Sequence, residues 1–426
     1  TITGPNGPSR TPSQKRIPYS ERRESTPKLR IYPNIWLHYL GNFAFHRRFS
    51  DSSYRKLEMA TLQPRQVANT QTHCMENKSI EVILGNSNRR FSGVTSTMLR
   101  VLEHHKDEIG ITVMGKPHLP EYVPSISFWK CVKLCRSTLP DGKFRVFHAR
   151  RNNEVIQALI LKRIFKAKIK IIFTSTAQRE HTWITRWLIK RVDCLVATCS
   201  GAAAVLKRKP DAMIPHGVDL KTYRLPDEGK KAAWDSLGYP GKYGIGIFAR
   251  VRQQKGIGIL VDAMIPIMKK DPSPTVLIAG ETTKSHEQFV ADLKEKIKSE
   301  GLEKRILFLG KVHYAEEVPK LMRGLSIVTA LSTIEGFGLP VLEAMASGCA
   351  VAASKTGAWE DIIVSGEHGL LVPCNDVKAT HEALKKLTSD SSNLESIGLK
   401  GRDRIVEGYT IESEANSLLG LYKSLQ

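Results

Sequence analysis

Residues 333–348 read Thr-Ile-Glu-Gly-Phe-Gly-Leu-Pro-Val-Leu-Glu-Ala-Met-Ala-Ser-Gly. Gly336 and Gly338 allow a backbone turn that can approach a ligand closely. Pro340 suits the first turn of a helix, and Gly348 suits its end. The stretch therefore predicts a strand, a glycine turn and a helix of about two turns. The start of such a helix presents free N–H groups and a partial positive charge, which favour a phosphate.

Two carboxylates belong to the same stretch. Glu335 precedes the predicted helix, and Glu343 lies within it, eight positions later. A carboxylate accepts hydrogen bonds from sugar or ribose hydroxyls, so two at a fixed offset can hold two parts of one ligand. The simpler interpretation is a helix cap beside a salt-bridged surface glutamate. The combination of glycine turn, proline and paired carboxylates is too specific for that interpretation.

Short apolar runs alternate with helical patterns on both sides of a break near residues 226–241, which is rich in glycine and proline. This alternation is typical of parallel sheets with crossover helices. Two such halves enclose a cleft, where ligands commonly bind. The predicted strands lie at 80–84, 111–114, 144–147, 169–173 and 194–197, and then at 243–248, 275–279, 306–309, 325–329, 350–353 and 369–372.

The resulting fold class is α/β, with two Rossmann-like domains that face each other across a cleft. Residues 1–74 contain seven prolines and sustain no apolar period, so we expect a disordered or non-native extension there. A basic membrane-binding arm is the alternative. The expected domains are a first Rossmann-like domain at 75–226, a linker at 227–241, a second Rossmann-like domain at 242–408 and a C-terminal helix at 409–426 that can pack on the first domain.

The chain carries a formal net charge of +22. Residues 145–191 hold 12 Lys and Arg against 2 Asp and Glu, a local excess of +10. Such a field suits an anionic partner: phospholipid, a phosphorylated glycolipid or nucleic acid. No uninterrupted apolar run approaches the ~20 residues of a membrane span. The seven cysteines show no zinc-ligand spacing, and their odd number fits a reducing cytoplasm.

Further polar residues follow predicted strands. Arg250 and Lys255 come after the first strand of the second half, where a guanidinium and an ammonium can meet a pyrophosphate from two sides. Gly93 follows the first strand of the first half. His148 ends a strand, which favours a position facing the cleft, although a single histidine is often only a structural hydrogen-bonding residue.

Residues 333–348 resemble the Glu-x7-Glu signature of family 4 of the retaining glycosyltransferases, which have the GT-B fold. Residues 215–219 (Pro-His-Gly-Val-Asp) are similar to the family's Asn-Gly-Val-Asp turn, with His for Asn. Residues 356–360 (Thr-Gly-Ala-Trp-Glu) are similar to its Gly-Gly-x-x-Glu loop with one glycine lost, and residues 366–373 to the strand that follows. The chain keeps one glycine, Gly93, where the family usually has two.

The segments at 90–97, 148–152, 173–179 and 186–191 together resemble lipopolysaccharide core mannosyltransferases of alpha-proteobacterial type. The resemblance runs from about residue 80 to the C-terminus. It implies a GDP-mannose donor, a Kdo-bearing lipid A acceptor and a cytoplasmic enzyme that is peripheral on the inner membrane. It also implies that residues 75–226 form the acceptor domain and residues 242–408 the nucleotide-sugar-binding domain. No Asp-x-Asp metal triad is evident, so we expect no required metal, and we expect no nucleic-acid partner.

The resemblance also implies roles for individual residues. Glu343 would bind the ribose hydroxyls, Glu335 would sit by the donor sugar, and Arg250 with Lys255 would bind the diphosphate. The catalytic set is His148, Arg250, Lys255 and Glu335. The donor-binding set is Gly93, Arg250, Lys255, Gly336, Phe337, Gly338, Leu339 and Glu343. The acceptor-binding set is Arg90, Arg150 and Arg151.

Three alternatives remain at this point. A family 4 enzyme could use another nucleotide sugar and acceptor. A nucleotide-sugar epimerase could share the fold. A nucleic-acid-binding protein would explain the charge but not the Glu-x7-Glu string, and no nucleic-acid-binding module is recognisable.

Overall fold

The structure, a computed structural model, describes residues 79–88 and 93–426. The first of its two sheets has seven parallel strands. They are β1 (Val82–Gly85), β2 (Ile111–Met114), β3 (Ser125–Ile126), β4 (Arg145–Ala149), β5 (Ile169–Ser175), β6 (Cys194–Ala197) and β7 (Ala212–Met213). Their order is β3-β2-β1-β4-β5-β6-β7. All four residues of β1 are buried, as expected of a parallel strand covered on both faces.

Five helices accompany this sheet: α1 (Gly93–His105), α2 (Phe128–Leu134), α3 (Asn152–Arg163), α4 (Trp183–Ile189) and α5 (Ser200–Ala204). Buried residues of α2, α3 and α4 form one core cluster with one face of the sheet. Buried residues of α1 cover the opposite face. We call the first sheet with these helices the first lobe.

The second sheet has six parallel strands: β8 (Tyr243–Phe248), β9 (Pro274–Ala279), β10 (Ile306–Gly310), β11 (Leu325–Ala330), β12 (Ala350–Ser354) and β13 (Leu370–Val372). Their order is β10-β9-β8-β11-β12-β13. The helices of this second lobe are α6 (Gly229–Asp235), α7 (Ile257–Lys270), α8 (Glu287–Ser299), α9 (Glu317–Gly324), α10 (Leu339–Ala346), α11 (Trp359–Ile362), α12 (Val377–Thr388) and α13 (Ser391–Gly408). The eleven strands predicted from the sequence are therefore present, and the helix predicted after the glycine turn is α10.

The structure differs from the expected linker at 227–241. This segment contains α6, and its Trp234 is buried in the same core cluster as Leu325 and Met322 of the second lobe. The indole Nε1 of Trp234 donates a hydrogen bond to the carbonyl of Gly241, 3.1 Å away. The segment is thus part of the second lobe's core rather than a spacer.

The last helix, α14 (Ile411–Leu425), returns to the first lobe. Its Ile411, Leu418 and Tyr422 pack with α1 and with the sheet face that α1 covers. The side chain of His105 on α1 is hydrogen-bonded to the carbonyl of Ala415 at 2.8 Å. Since α14 follows α13 of the second lobe directly, it joins the two lobes covalently and by packing. No helix among the described residues is long and apolar enough to cross a membrane.

We predict that Leu418→Ala lowers the free energy of unfolding by about 2–5 kcal/mol, because Leu418 is 3% exposed between α14 and the first sheet. Urea denaturation followed by tryptophan fluorescence measures this. Leu399→Ala is the matched control on α13, where the side chain is 43% exposed and its loss is expected to change stability by no more than about 0.5 kcal/mol. Equal effects of the two substitutions would show that α14 does not stabilise the first lobe.

Candidate active site

A cavity of about 620 Å³ lies between the two lobes. Residues that follow the carboxyl ends of strands in both sheets line it, because loops at these ends of parallel strands meet at one edge of each sheet. From the first lobe come Gly93, Val94, Ser96, Thr97, Thr176 and His216. From the second come Arg250, Arg252, Lys255, Tyr314, Glu335, Gly336, Phe337, Gly338, Leu339, Pro340 and Trp359, among others.

The glycine turn before α10 is fixed by close packing. Gly338 has φ +88°, and a Cβ there would lie 2.2 Å from Nε1 of Trp359. That indole N–H donates a hydrogen bond to the carbonyl of Gly338 at 3.2 Å. The carbonyl of Gly336 accepts a bond of 2.8 Å from Nε2 of Gln178, in the loop after β5. Only glycine fits at 338, and the turn is held from both lobes.

Lys255 and Glu335 form an ion pair inside the cavity. The Nζ atom of Lys255 is 2.5 Å from Oε2 of Glu335, with side chains 14% and 24% exposed. Ser332 donates a further hydrogen bond to the same carboxylate oxygen at 3.2 Å. Arg250 lines the cavity nearby and is exposed. Two cations and one carboxylate therefore line one ligand-sized space.

Glu343 adjoins the cavity but is not among the residues that line it. It is fully buried on α10, and its Oε1 accepts hydrogen bonds from Nη2 of Arg100 at 3.1 Å and from the Tyr314 hydroxyl. Tyr314 itself lines the cavity. The structure thus brings Glu343 to the site through partners that the sequence analysis does not name.

The structure does not bring His148 to the cavity. The ring is buried at the end of β4, with Nδ1 2.8 Å from the Tyr422 hydroxyl and Nε2 2.7 Å from the Thr174 hydroxyl. Burial, reinforced by the charge of Arg150 and by neighbouring histidines, holds the pKa of His148 well below its usual range. Its position is that of a neutral residue that ties α14 to β4 and β5, because both ring nitrogens are engaged within the first lobe.

Two of the three expected acceptor residues line a second cavity of about 400 Å³, beside β4 and β5. Arg151 has its guanidinium 2.7 Å from Oε1 of Glu154 and 3.0 Å from the Thr95 hydroxyl. Atom Nη1 of Arg150 is buried and makes no hydrogen bond within the described chain. Thr176 lines both cavities, so the two spaces adjoin. Arg90, the third expected residue, lies outside the described residues.

The Pro-His-Gly-Val-Asp turn at 215–219 connects the cavity to α14. Nδ1 of His216 is 2.8 Å from Oε1 of Glu414, and Gly217 N–H donates to Oε2 of the same carboxylate at 2.8 Å. A Cβ at Gly217 would lie 2.1 Å from the carbonyl of Thr410, so a side chain would prevent this approach. The turn therefore anchors the start of α14, and the His216 ring, 4.9 Å from that of Phe337, faces the cavity.

The sequence analysis missed Arg100 and Tyr314. Gly93, Thr97 and Arg100 are spaced i, i+4, i+7 along α1, which places them on one helix face, and this spacing could have drawn attention to Arg100. Tyr314 follows β10 and carries no comparable signal. In the part of the chain that the structure describes, no group of three or more His, Cys, Asp or Glu side chains is arranged to hold a metal ion.

Comparison with known proteins identifies the class. The sequence family described as glycosyl transferases group 1 matches residues 232–404. The chain is 37% identical over 354 residues to the lipopolysaccharide core biosynthesis mannosyltransferase LpsB of Rhizobium meliloti, covering 82% of this chain and 98% of that protein. It is 36% identical over 349 residues to the lipopolysaccharide core biosynthesis mannosyltransferase LpcC of Rhizobium leguminosarum bv. viciae, covering 82% of this chain and 97% of that protein.

The structure is similar to that of Anabaena Alr3699/HepE in complex with UDP, with a TM-score of 0.71 at 17% identity, over 81% of this chain and 100% of the other. It is likewise similar to a glycosyltransferase of Rickettsia africae, with a TM-score of 0.69 at 17% identity, over 82% of this chain and 99% of the other. These likenesses, with the two parallel sheets, show the GT-B fold, and the family match with the two relatives identifies the chain as a glycosyltransferase. Within this class, the chain belongs to the family of the lipopolysaccharide core mannosyltransferases.

We predict that Lys255→Ala lowers the rate of sugar transfer about a hundred- to thousand-fold, because one preorganised charge contact in an active site contributes ~2.7–4 kcal/mol. Initial rates with a labelled donor measure the loss, and the melting temperature verifies folding. Lys269→Ala is the control, since Lys269 pairs with Glu300 on an exposed surface outside the cavity. A folded Lys255→Ala protein with normal turnover would remove Lys255 from the catalytic set.

Proposed function

We propose that this glycosyltransferase moves mannose from GDP-mannose to the Kdo-containing inner core of lipopolysaccharide and retains the anomeric configuration. The names of two relatives that each align over more than nine-tenths of their length support the sugar and the acceptor. The observation that carries the chemistry is the Lys255–Glu335 ion pair in a cavity lined by both lobes.

The costly event in this reaction is departure of the nucleoside diphosphate. Negative charge builds on the diphosphate while the sugar becomes oxocarbenium-like. Arg250 and Lys255 offer positive charge on one side of the cavity, and the start of α10 at Leu339 offers the positive end of a helix dipole. The Lys255 ammonium, held by Glu335, and the start of α10 are fixed before the reaction, so they stabilise the leaving group with little reorganisation. In this proposal no metal is required, because protein cations supply the charge.

The 400 Å³ cavity is the proposed acceptor site. It carries the hydroxyls of Thr174, Ser175 and Thr176, and the exposed cation Arg179 is at its edge. Hydroxyls and a guanidinium suit the hydroxyls and carboxylate of a Kdo sugar. Since Thr176 lines both cavities, an acceptor hydroxyl held there would lie next to the donor sugar.

A thermal-shift screen across GDP-, UDP- and ADP-sugars tests the donor. We expect GDP-mannose to stabilise the protein most. Incubation with Kdo-lipid A should then yield a mannosylated product, unaffected by EDTA, whose anomeric configuration NMR reports. Stabilisation by a UDP- or ADP-sugar but not by GDP-mannose would show that the proposed donor is wrong. Isomerisation of the donor in the absence of acceptor would show that the protein is an epimerase rather than a transferase. A product of inverted anomeric configuration would overturn retention.

The proposal includes peripheral attachment to an anionic membrane. Five large apolar side chains on α2, at the end of α3 and on α4 are exposed, from 43% for Ile184 to 74% for Trp183. We call them the aromatic face: Trp129, Ile164, Trp183, Ile184 and Trp187. Their helices all pack on the same side of the first sheet.

The sequence leaves open that the α4 tryptophans pack on the sheet, with the charges merely solvated. In the structure Leu188 and Ile189 provide that packing, while Trp183 and Trp187 face outward. Exposed basic residues surround the aromatic face: Lys130, Lys133, Arg163, Lys166, Lys190 and Arg191. Aromatic and basic side chains together suit the interface of an anionic bilayer.

We predict that changing Arg186, Lys190 and Arg191 together to Glu weakens binding to anionic liposomes by at least about a hundred-fold, since each basic residue near such a surface contributes ~1 kcal/mol. Co-sedimentation at low and high salt measures this. Changing the exposed Lys298, Lys304 and Lys320 of the second lobe to Glu alters the net charge equally and should leave binding nearly unchanged. Equal loss in both variants, or no preference for anionic over neutral vesicles, would exclude the aromatic face as the docking surface.

A further inference from the structure

Glu343 and Arg100 form an ion pair that joins the two lobes. Arg100 is on α1 of the first lobe, and Glu343 is on α10 of the second. Their side chains are 20% and 0% exposed, with Nη2 of Arg100 3.1 Å from Oε1 of Glu343. A buried carboxylate without a partner is costly, so this contact links the charge of a residue in one lobe to a residue in the other.

Aromatic rings surround the guanidinium. Its central carbon lies 5.6 Å from the centre of the Tyr314 ring and 5.9 Å from that of Tyr223. Burial opposes the charge of Arg100, but attraction to Glu343 and to the two tyrosines outweighs burial and raises the pKa of Arg100. Burial and the charge of Glu343 raise the pKa of Tyr314, so its hydroxyl remains a proton donor to Glu343. Arg100, Tyr314 and Tyr223 are the titratable groups that face Glu343.

The two oxygens of Glu343 differ. Oε1 accepts from both Arg100 and Tyr314, whereas the buried Oε2 makes no hydrogen bond with any described residue. A buried acceptor atom left unpaired costs about 1–3 kcal/mol. A carboxylate with one oxygen held by two fixed donors and the other unpaired is arranged to accept hydrogen bonds from a ligand. Three neighbours of Glu343 line the 620 Å³ cavity: Tyr314, which donates a hydrogen bond to Oε1, and Leu339 and Pro340, one turn earlier on α10.

We propose that Arg100 is a positioning residue for the nucleotide-sugar donor. It fixes the Glu343 carboxylate through Oε1, so that Oε2 accepts hydrogen bonds from donor hydroxyls. The buried Nη1 of Arg100 also makes no hydrogen bond with any described residue, so direct contact with the donor is the competing interpretation, which the double variant below distinguishes. Affinity for the nucleotide sugar then depends on a residue of the first lobe, although the donor hydroxyls bind to Glu343 of the second lobe. This inference rests on the proposed function only in that the ligand is a nucleotide sugar.

Isothermal titration calorimetry with GDP-mannose tests this on the full chain. Arg100→Met should bind the donor about ten- to a hundredfold more weakly, because Glu343 loses a charged hydrogen bond that fixes Oε1. Arg100→Lys keeps the positive charge and should recover most of the affinity. Glu343→Gln should also bind weakly, and Arg100→Met should add nothing in that background, as expected for two residues acting through one contact.

Several outcomes would overturn the inference. Tighter binding by Arg100→Met would show that Arg100 competes with the donor. A loss of donor affinity on Arg100→Met that persists in the Glu343→Gln background would show direct contact between Arg100 and the donor. Should Arg100→Met fail to fold, Tyr314→Phe removes one of the two hydrogen bonds to Oε1 of Glu343. An unchanged affinity for the nucleotide sugar would then count against positioning of Glu343 through Oε1.

The proposed function can fail separately. If the wild type binds UDP- or ADP-sugars in place of GDP-mannose, the donor assignment is wrong. The role of Arg100 can still be tested by titrating the same variants with the nucleotide sugar that binds. A wild type that binds no nucleotide sugar overturns both proposals.

Discussion

The active site depends on one constraint of parallel sheets, which is that all strands of a sheet end at the same edge. In each lobe, the loops that follow the carboxyl ends of the strands therefore gather on one side, and the 620 Å³ cavity lies where the two sets meet. The loops after β1 and β5 supply Gly93 and Thr176, and those after β8 and β11 supply Arg250 and Glu335. A charged sugar donor needs both cationic and anionic contacts within a small space. The convergence of these loops brings such residues together from distant parts of the chain.

Buried carboxylates then fix these loops. Glu154, fully buried, accepts bonds from the backbone N–H groups of Arg150 and Arg151 and from Ser87, so it joins the loops after β4 and β1. Glu414 does the same for the turn at 216–217, and Glu343 joins α1 to α10. Each of these three carboxylates requires partners because an unpaired buried charge is expensive. The cost of burial is thus what makes the loop positions specific.

Much of this could be predicted from the sequence, for local reasons. Apolar runs such as 111–114 and 243–248 coincide with β2 and β8, and the glycine, proline and carboxylate pattern at 333–348 locates the turn and α10. The strands β3 and β7 were missed because two residues carry no periodicity. The burial of His148 against Tyr422, and the pairing of Arg100 with Glu343, join residues more than 200 positions apart. Such contacts depend on how helices pack on sheets, which local patterns do not encode.

The helix α4 connects the site to the aromatic face. Its first turn borders both. The 400 Å³ cavity is lined by Thr182, which caps the helix, and by Thr185. Between these two residues, Trp183 and Ile184 are exposed. Neighbouring positions on a helix point in different directions, so one short turn can border a pocket and a flat surface at once. An acceptor anchored in a bilayer by its lipid chains cannot diffuse far from the membrane plane. If the proposed membrane attachment holds, a pocket at the edge of the aromatic face would let the sugar headgroup enter while the lipid stays in the bilayer, so the lipid would not have to be extracted.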